Sequence, residues 1–246
     1  MKKYGFTQEL SETDKKIESR LEKNFRKAIT RYSLISEGDK ILVGLSGGKD
    51  SLFLLEMLAK RSRILKPRFS VEAVYVQMRN IQYKSDCQYL KQFSDELGVR
   101  LHVVETEFDP DTDKRKSPCF LCSWYRRKAI FNLAQEMGFN KLAFGHHNDD
   151  IMHTALMNLM FHGSLSSMPP SFKFDKMPLT IIRPLCLERE SDIVNHAKIA
   201  SYEKQIKLCP YERDSRRSDI ANIYEHMEAI SDETRYNIWK ALGYDK

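Results

Sequence analysis

Apolar and polar residues alternate along the chain in blocks that predict five strands separated by helices. Short, continuous apolar runs lie at 41–45, 71–78, 101–104, 141–144 and 180–182. Runs of this length that are bounded by turn residues are typical of strands buried on both faces. Because helical patterns separate them, we predict an α/β fold with a doubly wound, mainly parallel five-stranded sheet. Such a sheet binds its ligands at the carboxyl ends of the strands.

A helical pattern also precedes the first strand. Its apolar residues recur at steps of three and four and define one buried face: Ile17, Leu21, Phe25, Ala28, Ile29 and Tyr32. Ser11 or Thr13 can cap this helix. We predict a single domain over residues 1–246, with an N-terminal helix at about 12–35 and a C-terminal helical extension at about 215–246.

The first strand leads directly into the hexapeptide SGGKDS at residues 46–51, called the SGGKDS turn below. Gly47 and Gly48 lack Cβ atoms, so the backbone can turn sharply and point its N–H groups into one concavity. Lys49 adds a cation, and the helix that follows points the positive end of its dipole at the same place. A strand, a glycine turn and a helix N-terminus form an anion site that suits phosphate. A glycine-rich turn without a ligand is the alternative.

A second polar turn follows the fourth strand, with the sequence GHHNDD at residues 145–150, called the GHHNDD turn below. Since it begins at the carboxyl end of a strand, its polar side chains are expected to face the phosphate site. These side chains are His146, His147, Asp149 and Asp150. Carboxylates there can hold an Mg²⁺ ion beside a bound phosphate group. Capping of the next helix by Asn148 or Asp149 is an alternative that needs no ligand.

Three of the five cysteines occur in a pattern that suits a metal or cluster site. Ser117 and Pro118 predict the start of a helix, which puts Cys119 and Cys122 one turn apart on the same face. A third cysteine, Cys209, precedes a proline in a later loop. Three thiolates suit an iron–sulfur cluster or an open zinc site. Cys119 and Cys122 alone could also be a redox pair or inert thiols.

The other two cysteines and the overall composition add less. Cys87 and Cys186 have no motif around them and are expected to pack in the core. The excess of 40 basic over 34 acidic side chains gives a net charge of +6, which is compatible with nucleic acid but does not require it. The sequence contains neither a signal peptide nor an apolar run of about 20 residues. We therefore expect a cytoplasmic protein with reduced thiols and no membrane contact.

Six motifs considered together resemble one family. They are SGGKDS at 46–51, PCFLC at 118–122, GHHNDD at 145–150, SMPP at 167–170, IIRPL at 181–185 and Cys209. The SGGKDS motif by itself resembles the PP-motif of the N-type ATP pyrophosphatases. In their order and approximate spacing, the six motifs resemble the TtcA family of tRNA 2-thiocytidine synthetases, over about residues 15–215.

The resemblance implies an enzyme, an ATP-dependent tRNA sulfurtransferase that forms AMP and pyrophosphate. Such an enzyme would adenylate C2 of an anticodon-loop cytidine through its oxygen and replace that oxygen by sulfur. The implied cofactors are ATP, Mg²⁺ and a 4Fe–4S cluster on Cys119, Cys122 and Cys209, with zinc as the alternative metal. The implied nucleotide site comprises Ser46, Gly47, Gly48, Lys49, Asp50, Ser51, Gly145, His146, Asp149 and Asp150. Asp50 is also the predicted Mg²⁺ ligand, and Asp50 and the three cysteines are the predicted catalytic residues.

The implied partners are tRNA and a cysteine desulfurase or another sulfur donor, and a homodimer is a further option. The cytidine must leave its loop to be reached, and Trp124 and Tyr125 offer stacking faces. Burial of these two aromatic residues in the helix core is an equally good interpretation. The predicted RNA-binding side chains are Arg126, Arg127, Lys128 and Arg183.

Two stretches depart from the family pattern. Ser164 and Ser166 stand where the family commonly has lysines, and the sequence diverges after Cys209. The enzyme class is therefore better supported than the nucleotide that it modifies, which could be another tRNA base or another substrate. Three further alternatives remain open: a PP-loop ligase that needs no cysteine trio, a non-catalytic RNA-binding module with a cluster, and a zinc-bound protein of similar fold.

Overall fold

A six-stranded sheet forms the centre of the computed structural model, which describes residues 10–83, 87–109, 111, 116–203, 207–208 and 216–245. The strands are β1 Lys40–Gly44, β2 Ser70–Met78, β3 Gln82–Tyr83, β4 Leu101–Thr106, β5 Lys141–Ala143, β6 Ser171–Lys173, β7 Thr180–Ile182 and β8 Lys207–Leu208. The six-stranded sheet has the order β4-β2-β1-β5-β7-β6. Its neighbours pair in parallel except for β6, which runs antiparallel to β7.

The five predicted strands are the five parallel strands, and the prediction of an α/β doubly wound fold is confirmed. The sequence did not predict β6, because its three residues are all exposed and carry no apolar pattern. It also did not predict the two-residue strands β3 and β8, which pair with each other outside the main sheet. The additional strands lie at an edge or outside the sheet, so they leave the predicted centre unchanged.

Eight helices are present in the described parts of the chain. They are α1 Glu12–Arg31, α2 Lys49–Ser62, α3 Gln88–Glu96, α4 Pro118–Glu136, α5 Asn148–His162, α6 Glu190–Ile199, α7 Arg216–Ile230 and α8 Thr234–Ala241. Ser11 caps α1 and Ser117 caps α4, each accepting a hydrogen bond from a backbone N–H of the first turn, as predicted. The division into a single domain stays a prediction.

Two apolar clusters cover the two faces of the sheet. Ile41 and Val43 of β1 point into the larger cluster, which contains the buried faces of α1, α2, α3 and α6. Leu42 points to the other face, where α4 packs. Because each fully buried Leu, Ile or Val contributes about 1.5–3 kcal/mol, these contacts fix β1 at the centre of the sheet. The turn that follows β1 is therefore held on a rigid base.

None of the described helices combines the length and the apolar character that a membrane span requires.

Candidate functional site

The SGGKDS turn connects the central strand β1 to α2. Gly47 has a φ angle of 80°, a left-handed conformation that glycine adopts without steric cost. Gly48 is the N-cap of α2, and its φ of −82° is ordinary. The first backbone N–H groups of α2, which begins at Lys49, have no partner within the helix. The turn therefore offers N–H donors and the positive end of a helix dipole to an anion, as predicted.

Two serine side chains shape this turn from within. The Ser51 Oγ accepts a hydrogen bond of 3.1 Å from the Ser46 N–H and donates one of 2.9 Å to the Gly48 carbonyl. The Gly48 N–H donates to the Ser46 Oγ at 3.3 Å. Both serines thus stabilise the backbone of the turn, and this role is independent of any ligand contact.

The GHHNDD turn touches the SGGKDS turn because β5 is the parallel neighbour of β1. A Cβ atom on Gly145 would lie 2.8 Å from the Asp50 carbonyl oxygen, closer than real Cβ atoms approach. Glycine at this position therefore lets the two backbones meet. The two predicted motifs lie side by side at the carboxyl ends of adjacent strands.

The N-terminus of α5 is closed by a capping box. The Asp150 N–H donates to the His147 Nδ1, and the His147 N–H donates to the Asp150 carboxylate, both at 3.3 Å. The interpretation of Asn148 or Asp149 as the cap was wrong. Asn148 instead donates from its amide to the Cys186 carbonyl at 3.0 Å.

The Asp50 carboxylate lies between the SGGKDS turn and the GHHNDD turn. Its Oδ2 lies 3.2 Å from the Lys49 Nζ, and its Oδ1 is buried without a hydrogen bond among the described residues. The His147 Nε2 lies 3.8 Å from that oxygen. Burial raises the pKa of Asp50, and the nearby His147 and Lys49 only partly oppose this increase. A buried carboxylate oxygen without a partner fits a position next to a metal ion.

Asp149 is fully engaged by the protein itself. Its Oδ1 accepts a hydrogen bond of 2.7 Å from the Arg235 Nη2, and its Oδ2 accepts one of 2.7 Å from the Glu190 N–H. Burial alone would raise the pKa of Asp149, but the Arg235 guanidinium outweighs it and holds that pKa below its ordinary value. The assignment of Asp149 to the nucleotide site stays a prediction, and its contacts favour a structural role.

Glu190 joins the two turns from the first position of α6. Its backbone contacts Asp149, and its side-chain Oε1 lies 2.8 Å from the Lys49 Nζ. Burial would lower the pKa of Lys49, but the hydrogen bond that Lys49 donates to Glu190 and the charge of Asp50 raise it, so Lys49 stays a cation. Glu190 and Arg235 were not predicted from the sequence, because neither belongs to a recognisable motif.

A cavity of about 940 Å³ opens beside the SGGKDS turn. The start of α2 lines one side, and the end of α6 with the residues that follow it lines the other. The lining residues include Gly48, Lys49, Asp50, Val194, Ala197 and Tyr202. The turn therefore borders a space large enough for a small-molecule ligand.

The start of α4 carries the two predicted cysteine ligands. Cys119 is exposed and Cys122 is half-buried, and both lie in the first two turns of the helix. Thiolates near a helix N-terminus are stabilised by the helix dipole, so this donor pair fits two ligands of a cluster or a zinc ion. Cys209 lies outside the described residues, and within them no three His, Cys, Asp or Glu side chains are grouped as a metal site.

The other two cysteines pack as the sequence suggests. Cys186 is fully buried and Cys87 is half-buried against the larger apolar cluster. Burial raises the pKa of the Cys186 thiol far above its ordinary value. Cys186 is therefore an inert thiol at neutral pH.

The predicted RNA-binding residues of α4 differ in exposure. Arg127 and Lys128 are exposed and Arg126 is half-buried. Trp124 is 44% exposed, and the Lys128 Nζ lies 5.2 Å from the centroid of its ring. Tyr125 packs against the smaller apolar cluster. Trp124 thus retains an exposed face for stacking, whereas Tyr125 contributes to the core.

Arg183 occupies a different environment. Its side chain is buried and donates from Nη1 to the Pro169 carbonyl at 2.6 Å, and its N–H donates to the Pro170 carbonyl at 2.8 Å. Burial lowers the pKa of Arg183. Its predicted contact with RNA is untested, and the observed contacts hold the SMPP segment in place.

The fold and the paired turns define a PP-loop protein. The family model for the PP-loop domain matches residues 13–215. The tRNA-cytidine(32) 2-sulfurtransferase of Pseudomonas putida is 32% identical over 238 residues, which cover 95% of this chain and 86% of that protein. The protein of the same name from Aliivibrio salmonicida is 35% identical over 210 residues, covering 83% and 68% of the two chains. The chain therefore belongs to the tRNA-cytidine(32) 2-sulfurtransferase family of PP-loop proteins.

A solved structure extends the match to three dimensions. The U34-tRNA thiolase NcsA from Methanococcus maripaludis, determined with its 4Fe–4S cluster, superposes with a TM-score of 0.76 and 25% identity. The match covers 94% of this chain and 78% of that one. The resemblance to the TtcA family and the predicted fold are both confirmed.

Proposed function

We propose that the chain is an ATP-dependent tRNA sulfurtransferase that replaces the C2 oxygen of an anticodon-loop cytidine by sulfur. Membership of the tRNA-cytidine(32) 2-sulfurtransferase family supports the reaction and the substrate class. The observation that carries the proposal is the meeting of the two turns, where Gly145 lies against the Asp50 backbone and the buried Asp50 Oδ1 faces His147. This arrangement suits the phosphates of ATP and a metal ion.

In this proposal the SGGKDS turn holds the phosphates of ATP. The N–H groups at the start of α2 and the Lys49 ammonium would neutralise the negative charge that moves onto pyrophosphate. Asp50 and Asp150 would hold Mg²⁺, because the Asp50 Oδ1 accepts no hydrogen bond from the described part of the chain and the Asp150 side chain is 31% exposed. Bound Mg²⁺ supplies charge stabilisation on the phosphate oxygens.

Adenylation would turn the C2 oxygen of cytidine into a better leaving group. The C2 oxygen of cytidine is a poor leaving group, so it first attacks the α-phosphorus of ATP, and the bond to pyrophosphate breaks. A sulfur nucleophile then attacks C2, and the oxygen leaves with its bonding electron pair as part of AMP. The residues of the two turns hold the ATP in place for the first step.

Cys119, Cys122 and Cys209 are the proposed ligands of a 4Fe–4S cluster, with zinc as the alternative metal. The two described cysteines fit this role by their spacing on α4 and by the helix dipole. Such a cluster, when one iron has no protein ligand, supplies a position at which sulfur can be held. A cysteine desulfurase or another sulfur donor would provide the sulfur, and we place the reaction in the cytoplasm.

A second candidate is thiolation of another anticodon-loop nucleotide. Two observations favour it: serines at 164 and 166 replace the usual lysines, and the similar solved structure is a U34-tRNA thiolase. We further propose that residues 1–246 form one domain, and a homodimer stays a prediction. The chemistry at the two turns is the same for either nucleotide.

The products of ATP cleavage test the proposal. Anaerobically purified protein is incubated with ATP, Mg²⁺, a sulfide source and tRNA that lacks thiolation. We expect AMP and pyrophosphate to form in equal amounts, and only when tRNA is present. Their amounts should increase in proportion to the thiolated nucleoside. Formation of ADP and inorganic phosphate, or AMP formation that is independent of tRNA, would contradict the proposal.

A further inference from the structure

Arg235 lies on α8, beyond the matched residues 13–215, yet its side chain reaches the GHHNDD turn. The Nη1 donates to the Asn148 Oδ1 at 2.5 Å, and the Nη2 donates to the Asp149 Oδ1 at 2.7 Å. The guanidinium also forms two bonds to Glu228 of α7, from Nε at 3.0 Å and from Nη2 at 2.9 Å. One side chain thus joins α7, α8 and the start of α5.

The surroundings make Arg235 hard to replace. Its side chain is only 16% exposed, and its guanidinium carbon lies 5.3 Å from the ring centroid of the buried Tyr224. The four hydrogen bonds that Arg235 donates use the planar fork of its guanidinium, whereas the single ammonium of lysine has no such geometry. The position therefore requires arginine and not merely a positive charge.

The contacts of Arg235 continue to the SGGKDS turn through two residues. Asp149, held by Arg235 on one oxygen, accepts the Glu190 N–H on the other. Glu190 in turn holds the Lys49 ammonium at 2.8 Å. Asn148 and Asp149 also open α5 directly after His147, so fixing them fixes the capping box that faces Asp50.

We propose that Arg235 is a positioning residue of the nucleotide site, which connects α8 to that site. It touches no reacting atom, and it acts by holding the GHHNDD turn and, through Asp149 and Glu190, the Lys49 side chain. The inference rests on the proposed ATP site. If Arg235 only joined α8 to α7, any effect of its loss on ATP binding should be matched by loss of the Glu228 carboxylate.

Equilibrium binding of Mg²⁺-ATP to the full chain, without tRNA, tests this role. The variants are R235M, R235K, E228Q and K240M, the last removing an exposed cation from the same helix. Loss of charge-assisted hydrogen bonds to the turn should raise the Kd for ATP about tenfold in R235M. R235K retains the positive charge but lacks the planar guanidinium, so its Kd for ATP should lie between those of R235M and the wild type. E228Q and K240M should bind ATP within about twofold of the wild type.

Steady-state pyrophosphate release adds a second readout. We expect R235M to raise the KM for ATP more than it lowers kcat, because the positioning acts on nucleotide binding. An unchanged Kd in R235M, or equal increases in R235M and E228Q, would overturn the positioning role while leaving the proposed function intact. Should R235M fail to fold, a wild-type Kd in R235K would overturn it. Failure of the wild type to bind ATP would overturn both.

Discussion

At the residue scale, Asp50 illustrates a conflict between stability and function. Burial raises the pKa of its carboxyl, so the unfolded chain loses this proton at a lower pH than the folded protein does. The free energy of unfolding therefore falls as the pH rises from the unfolded to the folded pKa of Asp50, and ionised Asp50 destabilises the fold at neutral pH. The carboxylate is retained against this cost, which is expected for a metal-binding or catalytic group.

We predict that D50N raises the melting temperature slightly and abolishes ATP-dependent pyrophosphate release. The amide removes a buried charge but no longer supplies a carboxylate to Mg²⁺. Thermal unfolding and pyrophosphate release, measured on the same preparation, check both parts. Pyrophosphate release at the wild-type rate would contradict the role of Asp50 in the nucleotide site.

Gly145 gives a second prediction at this scale. G145A puts a Cβ against the Asp50 carbonyl, and overpacking of backbone against backbone should cost about 1–3 kcal/mol. G48A is the matched control, because its Cβ would meet only the Ser46 Oγ at 3.5 Å and should cost under about 1 kcal/mol. Urea unfolding gives both values, and equal costs would show that the close contact at Gly145 is unimportant.

Single residues also show what the sequence could and could not predict. The caps at Ser11 and Ser117 were predictable because their partners lie three residues away in the chain. The bond from Arg235 to Asp149 spans 86 positions and has no local pattern. Because Arg235 and Glu190 are distant from Asp149 in the sequence, their hydrogen bonds to its two carboxylate oxygens could not be predicted. Asp149 was therefore expected to face the ligand crevice.

At the element scale, a buried polar network joins α1, α2 and α6. The His196 Nδ1 lies 2.8 Å from the Glu18 Oε1, and its Nε2 lies 3.1 Å from the Tyr202 hydroxyl. The Tyr202 hydroxyl donates to Glu56, which also pairs with Lys60. Burial would lower the pKa of His196, but the two glutamates outweigh it and raise that pKa to about 9. The protonated imidazole therefore links three helices.

This network predicts a pH dependence of stability. A histidine whose pKa is raised from 6.5 to about 9 stabilises the fold fully below pH 6.5, and that contribution is lost as the pH rises through 9. At about 1.4 kcal/mol per pKa unit, the contribution is at most about 3.5 kcal/mol. In urea unfolding from pH 6 to 9.5, the free energy of unfolding should decrease more steeply for the wild type than for H196Q. Parallel profiles would contradict the network.

The exposed face of α4 gives the next prediction. If Arg127 and Lys128 contact tRNA phosphates, the variant R127A/K128A should bind tRNA more weakly and lower the slope of log K against log salt by about 1–2. The control K23A/K27A removes the same charge from the exposed side of α1. Equal slopes for the two double variants would show a general effect of net charge and no contact at α4.

The elements differ in how readily the sequence predicts them. The five parallel strands carry short, continuous apolar runs bounded by turn residues, so all five were found. The strand β6 has three exposed residues and forms only because β7 offers a free edge, which is information that lies elsewhere in the chain. Tertiary pairing of this kind leaves no periodicity to detect.

At the scale of the whole molecule, the sheet brings two motifs about 100 positions apart into contact, and α4 carries the cysteine pair. The nucleotide turns could be predicted because strand–turn–helix sequences place functional residues at one edge of a parallel sheet. The three-cysteine site stays a prediction, because Cys209 lies outside the described residues and only Cys119 and Cys122 are seen on α4.

The most direct test of the proposed function is nucleoside analysis of tRNA by mass spectrometry after reaction in vitro. The anaerobic protein, ATP, Mg²⁺ and a sulfide source are incubated with tRNA that lacks thiolation, in parallel with C119A, C122A, C209A and the control C87A. We predict 2-thiocytidine with the wild type and C87A, only when ATP is present. The other three variants should form none while still binding ATP. Thiolation without ATP, or wild-type thiolation by C209A, would contradict the account.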